Sequence, residues 1–381
     1  MSIFDDIPRT SIALPAGETQ FAYLNLSARS EAGRVREKVD AWFDGYPEKN
    51  RDELIARFRS AIDDQHYSAF FELFLYHLLL ARGCKVLEIE PTLPHTTKSP
   101  DFLAENAAQE RFYLEAVQAS GLSSQDVAAR ARLSTALVAI DSTPSPLHFL
   151  DLTVGGSPIQ PLSTKKLVTA LKSWIASLPA DETAKDVSPF VWDEHGAKIE
   201  LRAWTRSKPD NAGRAIGVGR TPVMRIEPSR DIRSGLKKKA SRYGVLGHPY
   251  LVALNGLSTH HSEEAVIDAL LGTPAVRIRR GPNGEEIVEE IRQPDGIWYG
   301  PPDGQPQNTR MSAVLALKRI DPWNFCGKTG LLIPNPWAAK PLPKLGLGTT
   351  EFVLNGNQYD RVNGQQMHAL VGLPAAWPED A

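Results

Sequence analysis

Between residues 67 and 82 apolar side chains occupy nearly every angle of a helical wheel. That pattern belongs to a helix enclosed on all sides rather than one lying on a surface. Gly83 follows directly, as glycine does where a helix closes. Upstream, residues 30–45 and 51–64 show helical spacing, with Val35, Val39, Trp42 and Phe43 along one side of the first. Downstream the period shortens to that of strands, over residues 85–91, 101–105 and 112–119. The polar stretch 106–111 reads as a hairpin connection between the last two. A helix over 124–140, capped by Ser123 or Ser124, and an apolar strand over 147–154 complete an order of helix, three strands, helix, strand.

The pattern weakens beyond Gly155. An amphipathic helix is expected over 165–178, around Leu167, Leu171, Trp174 and Ile175, and a strand over 199–204. A basic helix over 232–243 leads through Gly247-His248-Pro249 into a strand over 250–254. Ser262 caps a short helix that ends near Gly272, and a strand stands out at 311–317 in a segment rich in Gly, Pro and Asn. His260-His261 has no metal-ligand spacing and reads as the entry to that short helix. No internal repeat or low-complexity tract is present.

Composition alters this picture little. At 42% hydrophobic and 23% charged over 381 residues, the chain can bury a large core and is unlike a disordered one. A net charge of −2 restricts any nucleic-acid site to a local patch. Cys84 and Cys326 are the two cysteines, too few and too far apart for a disulfide framework or a zinc knuckle. The first residues lack a basic start followed by an apolar run, and the most apolar window, 69–81, is too short to span a bilayer. A cytoplasmic protein with no membrane association is the expectation.

The chemistry lies where the strands begin. Hydrolysis of a phosphodiester calls for a divalent cation that activates water and neutralises developing charge. Magnesium takes hard oxygens, commonly one or two carboxylates with water and phosphate. Along 112–119, Tyr113, Glu115 and Val117 share one face of a strand. Asp101 opens the neighbouring strand behind Pro100, so a hairpin brings it beside Glu115. Glu72 is the only charged residue between Ser68 and Ala81, on the helix expected to be buried. A charge there needs a partner or a metal.

Phe70-Phe71-Glu72-Leu73, Ser99-Pro100-Asp101-Phe102-Leu103 and Phe112-Tyr113-Leu114-Glu115-Ala116-Val117-Gln118 together resemble the PD-(D/E)xK nuclease superfamily, over roughly residues 66–155. The resemblance implies a mixed sheet flanked by helices and magnesium- or manganese-dependent cleavage of DNA, less often RNA. Asp101 and Glu115 would then be metal ligands and Glu72 an auxiliary helical acid. The family's lysine would fall two residues after Glu115, where this chain has Val117. Valine can neither orient water nor stabilise negative charge. Lys98 is the best substitute by position and Lys85 a poorer one, and Gln118 points away unless a bulge shifts the register.

The basic helix carries Arg230, Arg233, Lys237, Lys238, Lys239 and Arg242 against the single Asp231. It reads either as a phosphate-binding face, through Arg233, Lys237, Lys238, Lys239 and Arg242, or as a solvated surface. With the strand after it, this helix also resembles the later part of many nuclease cores, so an insertion could split the core. Trp323 and Trp337 could stack on bases, although packed or exposed loop aromatics are the ordinary reading.

The expected architecture is therefore α/β. A helical extension over 1–65 precedes a restriction-endonuclease-like core over 66–155, and a mixed α+β region over 156–381 is able to complete that core. The expected function is metal-dependent hydrolysis of DNA, in restriction or defence by analogy alone. The alternative is a catalytically inactive nuclease-fold module that binds nucleic acid or a protein partner, and a homodimer is left open.

Overall fold

The fold was obtained as a computed structural model that describes residues 2–12, 18–119, 124–209, 215–220, 228–257, 262–280, 282, 285–300, 305–355 and 358–379. The chain divides into two units. One comprises Met1–Ala13, Thr19–Gly121 and Ile226–Ala381, the other Leu14–Glu18 and Leu122–Arg225.

The first unit opens with helices α1 (Gln20–Leu26), α2 (Ser30–Asp44), α3 (Arg51–Phe58) and α4 (Asp63–Ala81). Strands β1 (Lys85–Ile89), β2 (Phe102–Glu105) and β3 (Arg111–Ala119) follow. In the second unit come α5 (Ser124–Asp141), β4 (His148–Gly156), α6 (Thr164–Ala176), β5 (Phe190–Glu194), β6 (Ala197–Thr205) and β7 (Ile216–Arg220). The chain returns to the first unit with α7 (Pro228–Ala240), β8 (Tyr250–Gly256), α8 (Glu263–Leu271) and the hairpin β9 (Pro274–Arg280) and β10 (Glu286–Arg292). A short pair, β11 (Tyr299–Gly300) and β12 (Gln305–Pro306), precedes β13 (Ala313–Lys318), β14 (Leu331–Pro334), β15 (Thr350–Asn355), β16 (Gln358–Val362) and α9 (Met367–Leu370).

Among the described residues the first unit's main sheet has the order β1-β2-β3-β8-β13-β14-β15-β16. β1, β2 and β3 are antiparallel neighbours, whereas β3, β8 and β13 run parallel. β8 is buried along its whole length, as a central strand covered on both faces must be. Alternation along β3 sorts its side chains cleanly. Phe112 and Leu114 join the cluster that contains Phe70, Leu73 and Phe74 of α4, together with Val35, Val39 and Trp42 of α2. Tyr113 and Val117 join Ile232, Leu236 and Ala240 of α7 and Val266 and Leu270 of α8. The unit is thus three layers: α2 to α4, the sheet, and α7 with α8.

α4 behaves as its wheel implies. Phe70, Phe71, Leu73, Phe74, Leu75, Leu78 and Leu79 are all buried, each contributing about 1.5–3 kcal/mol of apolar burial. The helix stops at Gly83, whose φ of 77° is open to glycine at no steric cost, and Cys84 N–H donates back to the Leu79 carbonyl.

The structure differs from the expected division at two places. Residues 1–65 are no separate extension, because α2 and α3 share the core of α4. The core expected over 66–155 ends instead near Gly121, since α5 and β4 belong to the second unit. There β4 pairs with β6 and β7 in the order β5-β6-β4-β7, and α5 and α6 bury one face of that sheet. The elements that follow β3 in the first unit are α7 and then β8, which pairs with β3 in the main sheet. The helix-and-strand pattern of 124–154 is real but serves a different core.

Candidate active site

Asp101 immediately precedes β2. The register of β2 against β3 pairs Phe102 with Leu114, and one further step sets Asp101 opposite Glu115. Asp101 Oδ2 accepts the Ala116 backbone N–H at 2.5 Å, which pins the acid to β3. Among the described residues Asp101 has no ion-pair partner. Its carboxyl titrates well above the ordinary carboxylate range, through burial first, then the charge of Glu115, then that of Glu72. An acid is raised in this way when other acids stand close and water is scarce.

Glu115 lies on the α7 face of β3 and is 1% exposed. Both its oxygens are engaged. Lys239 Nζ meets Oε1, and Tyr243 Oη donates to Oε2 at 2.5 Å. The Arg242 guanidinium lies 3.7 Å from Oε1. Burial and then Glu115 push the Tyr243 phenol upward, so it stays a donor. The approach of α7 explains the lysine. A Cβ on Gly235 would stand 3.5 Å from Val117 Cγ1, so the helix crosses β3 at Val117. Lys239 is one turn further on and Glu115 two residues back along the strand, on the same face.

Glu72 is also fully occupied. Its Oε1 accepts from Tyr46 Oη at 2.6 Å and its Oε2 from Arg57 Nη2 at 2.6 Å. The buried charge that needed a partner or a metal has an arginine.

The fold thus brings Asp101, Glu115, Glu72 and Lys239 into one electrostatic neighbourhood, and leaves Lys98 out of it. Lys98 is exposed, with its backbone N–H on Thr96 Oγ1, and Asp101 feels Lys239 rather than Lys98. Val117, in the family's lysine slot, is packed under α7. The basic helix divides three ways. Lys237 and Lys238 are exposed, Arg233 is tied to Asp295 at 2.7 Å, and Lys239 and Arg242 turn to Glu115. His260-His261, Ser123 and the side chain of Asp231 lie outside the described residues.

Local pattern directs the search for a lysine to the chain near the acids and gives Lys239 to phosphate contact. The signal that points elsewhere is the apolar run Tyr250, Leu251, Val252, Ala253 and Leu254 behind a helix, the mark of a parallel strand returning beside β3.

Among the described residues no group of three or more His, Cys, Asp or Glu side chains is arranged to hold a metal ion. The pair Asp101 and Glu115 is nonetheless a donor set of the hard-oxygen kind. Beside it Tyr250 Oη is buried and has no hydrogen-bond partner among the described residues, and burial and Glu115 push that phenol well up. An orphaned hydroxyl next to two acids suits a polar occupant such as water. Glu72, like Glu115, has both oxygens taken, but its cation is an arginine, which cannot give up its charge by deprotonation. In comparisons with protein-family models, curated proteins and solved structures, nothing matches the chain.

Proposed function

We propose that the first unit is a metal-dependent nuclease of the restriction-endonuclease-like type, acting on DNA phosphodiesters. The reading rests on one observation: Asp101, a half-buried acid with no ion pair among the described residues, faces Glu115, and Glu115 carries the lysine that the local motif lacks. The order α4, β1, β2, β3, α7, β8, with β3 parallel to β8, supports it and accounts for the second unit as an insertion in the chain between β3 and α7.

In this reading Asp101 and Glu115 hold a magnesium or manganese ion, which when bound lowers the pKa of an attacking water and neutralises phosphate charge. Lys239 releases Glu115 Oε1 so that the carboxylate can serve as a ligand. Its ammonium then supplies the positive charge at the reacting phosphate that Val117 cannot. Tyr243 keeps Glu115 oriented through Oε2, and Glu72 stands apart as an ion pair with Arg57, hydrogen-bonded by Tyr46. Lys237 and Lys238, exposed on α7, meet the backbone of the nucleic acid. A role in restriction or defence remains analogy to the family.

A second reading is a nuclease-fold module that binds nucleic acid without cutting it. The observation in its favour is that both Glu115 oxygens are already satisfied. Incubation of plasmid and single-stranded DNA with the protein and magnesium or manganese separates the two. Cleavage that EDTA and Asp101→Ala both abolish supports the nuclease. Intact DNA under every condition, with salt-sensitive retardation in a gel, supports the binding module.

A further inference from the structure

A second candidate site in the first unit lies away from the acids. It is a cavity of about 860 Å³, within the roughly 300–1,000 Å³ typical of ligand clefts. Neither Asp101 nor Glu115 lines it. Two ring pairs do. Tyr299 and Trp337 are stacked with centroids 6.1 Å apart and planes 20° apart, and Phe352 and Tyr359 lie 5.7 Å apart at 34°. Arg277 and Arg292 line it as well.

The rings are held from behind rather than packed at random. Asn335 is buried, donates from Nδ2 to the Met311 carbonyl and accepts the Trp337 backbone N–H on Oδ1, which fixes the Asn335-Pro336-Trp337 turn. Tyr359 Oη donates to the Pro334 carbonyl at 2.8 Å, anchoring the second pair. Arg292 is anchored to Asp268 and the Gly272 carbonyl. Arg277 differs. It is exposed at the cavity and, among the described residues, has no carboxylate partner, because Glu289, opposite it on β10, pairs with Arg279. Trp337, 36% exposed, offers its ring to whatever enters.

Fixed aromatic faces with an uncommitted guanidinium suit a flat π-system that carries an anion. Stacking on aromatic side chains is how unpaired bases are held, and it tolerates sequence because every base has a π-face. We infer that this cavity binds an unpaired nucleobase of single-stranded DNA, with Arg277 on the adjoining phosphate. The occupant's class follows from the proposed nuclease function, while the cavity's geometry stands apart from it. A site of this kind would hold a single-stranded segment of the substrate at a place separate from the acids.

The test is fluorescence anisotropy of a labelled oligothymidylate with the full chain in EDTA, so that no cleavage intervenes. Wild type is expected to bind, Trp337→Ala to bind about tenfold more weakly, Trp337→Phe to recover most of the loss, and Arg277→Ala to weaken binding several-fold. A labelled blunt duplex should distinguish none of the variants from wild type, and an oligouridylate bound as tightly as the thymidylate would extend the site to RNA. Absence of binding by wild type, or equal binding by Trp337→Ala, overturns the assignment. Asp101→Ala separates the two readings: if it binds the oligonucleotide normally and wild type fails to cleave with metal, the cavity stands and the nuclease falls. Metal-dependent cleavage with oligonucleotide binding indifferent to Trp337 leaves the nuclease standing and removes the cavity.

Discussion

Glu72 and Glu115 are buried glutamates in different layers of the same unit, each met by a tyrosine hydroxyl and a hydrogen-bonded cation, with the Arg242 guanidinium a second cation 3.7 Å from Glu115. Glu72 takes Tyr46, from the connection between α2 and α3, and Arg57 of α3, 26 and 15 residues away in the chain and both within the helical layer. Glu115 takes Tyr243 and Lys239, 128 and 124 residues away, after the chain has built and left the second unit. The arrangement at Glu72 is a closed ion pair. At Glu115 a third acid, Asp101, stands alongside, and among the described residues it has no ion pair and the buried Tyr250 hydroxyl nearby has no hydrogen-bond partner. Equal burial and similar partners do not make equal sites. The additional acid, with its raised pKa, distinguishes the place at Glu115 from the closed pair at Glu72, and in the proposed reading it is there that a metal cation binds.

The contrast is broken most severely at Asp101. Asp101→Asn should reduce metal-dependent cleavage by roughly 10³-fold or more, measured on plasmid with magnesium. It should also raise metal-free stability at neutral pH. The folded-state pKa of Asp101 is raised, so its contribution is full below the unfolded carboxylate pKa and is lost as pH rises through the folded value. Chemical denaturation of both proteins at neutral pH checks the sign.

Lys239→Met should lower cleavage by about 10²-fold and, by leaving Glu115 with fewer partners, cost on the order of 3 kcal/mol in urea unfolding. Arg57→Met breaks the matching pair at Glu72 and should cost a similar ~3 kcal/mol, yet leave cleavage per folded molecule within about threefold. A collapse of activity in Arg57→Met with unchanged stability would erase the distinction between the two glutamates.

Acid should weaken the helical layer first. His66 on α4 is 1% exposed, its Nδ1–H donates to the Phe58 carbonyl at 2.8 Å, and burial lowers its pKa to about 4. Its contribution is full above the unfolded value and is lost as pH falls from about 6.5 towards 4, by up to about 3 kcal/mol. Unfolding curves of wild type and His66→Gln over that interval should differ in slope. The smallest effect belongs to Lys237→Ala with Lys238→Ala, which should lower the salt dependence of DNA binding by about two counterions and leave the cleavage chemistry intact.

Much of the first unit is legible from local pattern. The all-round apolar wheel of α4, the glycine that ends it, and the alternation of Phe112, Tyr113, Leu114 and Glu115 are enough by themselves to place Asp101 beside Glu115. These signals act within a few residues. The fate of 124–154 is not legible in the same way, because a helix and a strand look alike whichever sheet receives them. Lys239 is hidden for a related reason. One lysine among three in a row declares its target only when Gly235 is seen crossing Val117. Arg57 illustrates the same limit at Glu72, since helical spacing in 51–64 shows that a helix forms there and not which acid its arginine meets.

The most direct measurement is manganese binding, followed by electron paramagnetic resonance of the free ion, in wild type, Asp101→Asn and Glu72→Gln. The expected result is a site present in wild type, lost in Asp101→Asn and retained in Glu72→Gln. Binding that survives Asp101→Asn, or that disappears only with Glu72→Gln, would contradict the assignment of the cation to the Asp101–Glu115 pair.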